Sequence, residues 1–541
     1  MTTPNEQSGP DIATRTVGSR RAWLRHAPLI VLLLLFNGTG LAGLDFGHHW
    51  DEHGTAASLE GSVRSGLILP LRYVYPGVRF WIAVVVAAPE YARAMLSDMD
   101  PDHGAARAAV LAEGLRKNNT HLRLRFAYLV LTSLAMVWLY LLVLMWRGNL
   151  VEALAAAAVL GTSWEIAYHA RWMVPDAVMM QFGAMTILFS VLAVVRAQPR
   201  RWLLLAAAAA GLATGTKYPG GALLLMPLVA AVCCWDRRSA RALRLELARV
   251  VIVFGGVYLL TTPGTLFDPL RFIEAVRRAQ AVYAEGHHVQ YVTSGFFSHL
   301  AGILHYLVRD LLSPFLLAGL ALSGAAVVGA VDLWRRERKV AIVLAVFPVF
   351  YVLYFSTQAM LIVRNLLVLA PFVALLSARG IACIAGWLPR PELRIGLAVS
   401  VSLIFATNML WLVHAAMTIR DRGTARFVHE ASDYMVRRPQ TTFFVSPKLR
   451  EQLDELDTGL LANTTVDSDA GADVALFYAS EGTQTWRANH RQVDRWFGPC
   501  EVNFHRYPTW KGDDRILVMS MERARELHVR ALDARPLAIG H

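Results

Sequence analysis

Apolar segments near the length of a membrane-spanning helix recur along this chain, and that repetition leaves few folds open. They fall at about 28–44, 126–146, 150–165, 175–196, 202–216, 219–235, 248–262, 311–333, 340–357, 362–386 and 393–416. A soluble chain carries about 25% charged residues. Here 17% are charged, 55% are hydrophobic and mean hydropathy is +0.39. The expected fold is a polytopic α-helical membrane protein with about 11 transmembrane helices. Residues 78–88 (VRFWIAVVVAA) are apolar but short, and read as an interfacial or re-entrant helix.

A net charge of +12 invites a nucleic-acid partner. The placement of the arginines argues against one. They cluster before the first span (Arg15, Arg20, Arg21, Arg25) and in short loops, among them Arg196, Arg200 and Arg201, Arg237 to Arg249, Arg335 to Lys339, and Arg390 with Arg394. With 11 spans all five places fall on one side, which the positive-inside rule makes the cytoplasm. The other side receives three larger segments, about 45–125, 263–310 and 417–541. The expected organisation is a cytoplasmic tail over 1–27, a membrane domain over 28–416, and an extracytoplasmic α/β domain over 417–541. The tail offers a helix over 424–437 and strands near 441–445, 473–478 and 515–519. The four cysteines show no metal or disulfide spacing. The N-terminal segment does not read as a cleavable signal, because its polar lead is long and no small-residue cleavage site follows. The protein is expected in the cytoplasmic membrane, surrounded by lipid.

The candidate chemistry lies on the external side. Asp51 and Glu52 follow the first span, flanked by His48, His49, Trp50 and His53. Such a pair, with His49 beside it, suits a general base or a metal site; it also suits plain hydrated loop acids. Asp176 follows Pro175 at the start of a span, where it can cap free N–H groups or join Arg171 in a site. Lys217 lies in the turn Gly215-Thr216-Lys217-Tyr218-Pro219-Gly220-Gly221, placed to meet a lipid phosphate or to snorkel to water. The turn lacks the order of a P-loop. Arg364 interrupts an apolar run at the mouth of the tenth span, as an anion ligand or an interfacial anchor. The second external loop holds Arg277, Arg278, His287, His288, Tyr291, His299 and His305, with no spacing that marks zinc.

These residues together resemble the GT-C class of membrane glycosyltransferases, in the bacterial branch similar to protein O-mannosyltransferases and aminoarabinose transferases. The resemblance covers most of 28–416. It rests on Asp51-Glu52 after the first span, on Ala170-Arg171 with Pro175-Asp176, on Gly211 and Lys217 before Pro219-Gly220, and on Arg364, Leu366, Leu367, Leu369 and Pro371 near the end. It implies the GT-C fold and a polyprenyl-phosphate-linked sugar donor. The sugar would pass, with inversion, to an envelope glycan, lipid or protein acceptor on the external face. It further implies Asp51 as base, Glu52 and Asp176 in support or holding a divalent metal, and Arg171, Lys217 and Arg364 at the donor phosphate. Many relatives carry a Lys-Pro-Pro-Leu run where this chain has Arg72-Tyr73-Val74-Tyr75-Pro76-Gly77-Val78. Arg72 would stand in for the lysine, and an aminoarabinose donor is disfavoured. The competing reading is a secondary transporter or flippase for a lipid-linked or anionic substrate. That class more often shows repeated halves and charges near the midplane. No repeat is visible here.

Overall fold

The computed structural model describes residues 24–45, 52–97, 103–235, 239–285, 292–293, 295–420, 424–447 and shorter stretches of the tail up to 529. Every apolar segment read from the sequence coincides with helix. In order these are α1 (Ala27–Leu41), α2 (His53–Ser65), α3 (Val78–Val86), α4 (Ala88–Leu96), α5 (Gly104–Lys117), α6 (Thr120–Arg147), α7 (Leu150–Gly161), α8 (Trp164–Ala170), α9 (Pro175–Val195), α10 (Pro199–Thr216), α11 (Leu225–Cys234) and α12 (Ala240–Thr261). Then follow α13 (Gly264–Phe267), α14 (Pro269–Glu285), α15 (Phe296–Arg309), α16 (Leu316–Arg336), α17 (Arg338–Ser356), α18 (Ala370–Trp387), α19 (Pro391–Arg420), α20 (Thr424–Val436) and α21 (Met521–Glu526). Short 3-10 helices over Tyr218–Leu224 and Val363–Leu369 lead into α11 and α18.

Among the described residues, 6 helices are long and apolar enough to cross a membrane, or up to 7 if the bent pair α7 and α8 is one span. The protein is a multi-pass membrane protein. The remaining segments fall short of that test because α1 and the Tyr218–Cys234 stretch are short, because α10 opens on Pro199, Arg200 and Arg201, and because α12 carries Arg241, Arg244, Glu246 and Arg249 in its first turns.

Local chemistry sets the breaks. Gly148 takes the left-handed conformation (φ +67°) that ends α6, and the Asn149 side chain accepts from the Val151 and Glu152 amides to start α7. Ser163 caps α8 at a 60° bend from α7. Pro175 and Pro199 sit at helix starts, where a missing N–H costs nothing. Between α16 and α18 the backbones nearly touch. A Cβ on Gly380 would lie 1.8 Å from the Ala325 carbonyl, and one on Gly329 would lie 2.1 Å from that of Leu376. Small residues permit the close approach that van der Waals packing requires between helices in lipid. The stretch over 78–88 forms α3. Its Phe80 and Ala83 pack with Leu59, Tyr128 and Met173.

In the tail, β1 (Phe443–Val445), β2 (Thr464–Thr465), β3 (Val474–Tyr478), β4 (Arg495–Phe497) and β5 (Ile516–Ser520) form one sheet in the order β2-β1-β3-β5-β4. β1 is parallel to β2 and β3; β5 is antiparallel to β3 and β4. Alternate side chains fill two cores. Phe443, Leu476 and Val518 pack on α20, while Phe444, Phe477 and Leu517 pack toward α21.

Candidate active site

Glu52 is the end of the acid pair that falls within the described residues, and it is buried. Arg125, on α6, meets it with a two-pronged ion pair: Nε to Oε1 at 3.0 Å and Nη2 to Oε2 at 2.6 Å. The third prong of the guanidinium donates to the Leu44 carbonyl at 2.7 Å, and its plane lies 4.8 Å from the centroid of the Trp172 ring. The Met173 amide adds a bond to Glu52 Oε1 at 2.9 Å. Arg79, on α3, donates to Thr55 Oγ1 and, at 3.3 Å, to the Glu52 carbonyl. Two guanidinium nitrogens and one backbone amide thus satisfy the buried carboxylate, the condition under which burying it is tolerable. Asp51, His48 and His49 lie outside the described residues.

Asp176 forms a second centre. It is fully buried at the first turn of α9. Lys217 Nζ reaches its Oδ1 at 2.6 Å, and Arg364 Nε stands 3.5 Å from its Oδ2. The same ammonium donates to Asn365 Oδ1 at 2.5 Å. Lys217 can reach Asp176 because α10 ends there and the chain turns sharply. A Cβ on Gly220 would sit 2.5 Å from the Ala213 carbonyl, and one on Gly215 2.2 Å from Thr261 Oγ1. The third sequence-read cation, Arg171, is also buried. Its two terminal nitrogens donate at 2.8 Å to the carbonyls of Thr39 and Ala42. Those are orphan acceptors at the end of α1, so Arg171 caps the helix that leads to the acids.

Arg72 stands apart from these. It lines a cavity of about 470 Å³ together with Arg79, Arg271 and Arg278. One wall is the start of α2, with Gly54, Thr55 and Ser58; the second is the loop over 70–76; the third is α14, with Glu274 beside the two arginines. The loop wall is tied to the α14 side. Tyr73 donates to Asp268 Oδ2 at 3.3 Å, and Tyr218 donates to the Tyr73 carbonyl at 2.7 Å. Burial, and then the Asp268 carboxylate, push the Tyr73 hydroxyl far above its ordinary range, so it stays a donor. The segments that form these walls also carry exposed apolar side chains, Leu67, Ile68 and Val74 on one and Leu266, Phe267 and Leu270 on the other. The cavity is cationic inside and apolar around it.

Among the described residues no group of three or more His, Cys, Asp or Glu side chains is placed to hold a metal. Glu52 and Asp176 each face cations instead. Sequence reasoning missed Arg79, Arg125, Arg271 and Asn365. For Arg79 and Arg125 a signal existed: each is an arginine within or beside an apolar run, which implies a buried partner.

Residues 110–261 match the family model described as dolichyl-phosphate-mannose-protein mannosyltransferase. That window holds Arg125, Arg171, Asp176 and Lys217. No curated protein matches the chain. Among solved structures, ArnT from Cupriavidus metallidurans bound to undecaprenyl phosphate aligns with a TM-score of 0.51 at 14% identity, over 92% of this chain and 98% of that one. The same protein in the apo state gives 0.49 at 13%, over 93% and 98%. The oligosaccharyltransferase AglB from Archaeoglobus fulgidus, in complex with an inhibitory peptide and a dolichol-phosphate, gives 0.47 at 10%, over 86% and 71%. The chain is therefore similar, in fold along nearly its whole length and in sequence over 110–261, to the GT-C class of membrane glycosyltransferases.

Proposed function

We propose that this protein transfers a sugar from a polyprenyl-phosphate-linked donor to an acceptor on the external face of the membrane. One observation carries the reading. A four-arginine cavity opens against the first turn of α2, which begins directly after Glu52. An anionic headgroup on an apolar chain suits such a cavity, since guanidinium groups bind phosphate in pairs of parallel hydrogen bonds. Undecaprenyl phosphate, bound by the Cupriavidus protein, is of that chemistry.

The step then runs as a single displacement. The acceptor hydroxyl attacks the anomeric carbon and gives its proton to the Asp51 carboxylate. The bond from that carbon to the phosphate oxygen breaks, and the polyprenyl phosphate leaves with the electron pair. One displacement inverts the anomeric centre. Arg72, Arg79, Arg271 and Arg278 receive the charge that grows on the departing phosphate. Glu52, gripped by Arg125, fixes the ground beside the base. Lys217 and Arg364 hold Asp176, and Arg171 holds the end of α1; all three support the phosphate site from behind.

Eleven spans, a cytoplasmic tail over 1–27, a catalytic membrane domain over 28–416 and an external α/β domain over 417–541 complete the reading, with the protein in the cytoplasmic membrane. The test is sugar release from a panel of radiolabelled polyprenyl-phosphate sugars by wild type and Asp51→Asn protein, with and without divalent metal and a crude envelope acceptor. Turnover of one donor by wild type alone supports the proposal and names the sugar. No turnover under any condition favours a transporter or flippase.

A further inference from the structure

Helix α14 forms one wall of the arginine-lined cavity, yet none of its residues is buried. Packing alone does not fix where this wall stands; a few contacts at its ends do. Near its start, Phe272 meets the rings of Tyr73 and Tyr218, each with centroids 6.0 Å away. Near its end, Tyr283 carries the load. Its carbonyl accepts from the Ala359 amide at 3.0 Å, and its ring stands edge-on to Phe355 at 6.4 Å. Its hydroxyl faces Asn365 Nδ2 at 3.3 Å.

Asn365 itself is 1% exposed, inside the 3-10 helix over Val363–Leu369. Its carbonyl accepts from the Tyr351 hydroxyl at 2.8 Å. Its side-chain oxygen accepts from Lys217 Nζ, the ammonium that also holds Asp176. An ammonium can only donate, so the amide oxygen must face Lys217. The NH2 group must then face Tyr283, and the amide has one allowed orientation.

We propose that Asn365 is a positioning residue whose side-chain amide ties the cavity wall α14 to the buried Lys217–Asp176 pair. The cavity then keeps its shape relative to the charge cluster through one hydrogen-bonded chain: Tyr283, Asn365, Lys217, Asp176. The nature of the ligand rests on the function proposed above; the tie itself rests on geometry.

The test uses the full chain in detergent and three variants, Tyr283→Phe, Asn365→Leu and the pair. Two quantities are read: binding of undecaprenyl phosphate, and amide hydrogen exchange over residues 269–285 without ligand. Tyr283→Phe should weaken binding about fivefold, the worth of one hydrogen bond, and speed exchange along α14. Asn365→Leu should do at least as much, and the pair should be no weaker than Asn365→Leu alone, because both remove the same bond. Multiplying losses in the pair would overturn the tie, as would unchanged exchange and binding in Tyr283→Phe. That variant keeps its ring on Phe355 and carries the test even if Asn365→Leu fails to fold. Faster exchange in Tyr283→Phe, with wild type that does not bind undecaprenyl phosphate, would leave the tie standing and remove the donor reading.

Discussion

Both ends of the helical bundle bury charge, but they differ in what lies next to it. At one end, Arg125 grips Glu52, and Lys217 grips Asp176. At the other, Glu152 lies 3.3 Å from Arg147 and 3.7 Å from Arg379, which also pairs with Asp332 at 2.6 Å. Arg147 reaches Glu337 at 2.6 Å, and Arg336 reaches Asp332 at 2.8 Å. Arg125 and Arg147 sit on the same helix, α6, so the clusters are about 33 Å apart. The arginine-lined cavity opens at the first cluster, and none of its lining residues belongs to the second. Buried ion pairs therefore do not mark chemistry by themselves. Their net worth to folding is small once desolvation is counted. What singles out the end that holds Glu52 and Asp176 is a cavity lined by four arginines and one acid, Glu274.

The sharpest contrast comes from the base. Asp51→Asn should cut sugar transfer by about 10² to 10⁴, the usual contribution of a positioned base, with the thermal unfolding midpoint unchanged. Near-normal transfer would take Asp51 out of that role and blur the difference between the two ends.

Next come the two buried pairs, which should behave alike in stability and unlike in activity. Lys217→Ala and Arg379→Ala each remove the closest cation from a buried carboxylate that keeps a second one, Arg364 on Asp176 and Arg336 on Asp332, at a cost of about 1.5–3 kcal/mol, visible as a lowered unfolding midpoint in detergent. Turnover per folded molecule should fall in Lys217→Ala and hold in Arg379→Ala. Equal loss of turnover in both would mean that the distant cluster serves the reaction too.

The smallest effect expected is at the cavity. Arg72→Ala should raise the donor KM by about tenfold, the scale of one charged hydrogen bond, and leave stability alone because Arg72 is exposed. A raised acceptor KM with normal donor dependence would reassign the cavity to the acceptor.

Several of these elements could be read before any fold was known. Asp176 and Lys217 stood out because a charge at the end of an apolar run is costly. Three tail stretches read as strands correspond to β1, β3 and β5. The two-residue β2 and the short β4 carried too little pattern to be seen. The loop arginines were read as one group, to set the expected sidedness. Yet Arg379, a few residues before the loop of Arg390 and Arg394, is buried against Asp332 rather than spread in water. Charge counting sees which side a residue falls on and not whom it meets.

By itself the sequence determined the membrane class, the order and placement of the apolar segments, and a short roster of acids and cations worth watching. These are local properties: hydropathy over some twenty residues decides whether a segment prefers lipid. Only the tertiary structure decided the partnerships. Glu52 meets Arg125, Asp176 meets Lys217, and Arg171 turns to the carbonyls of α1. Such pairings depend on how each helix is rotated and crossed against its neighbours. That is settled by packing along the whole bundle, down to the glycines where α16 and α18 touch, and no local pattern encodes it.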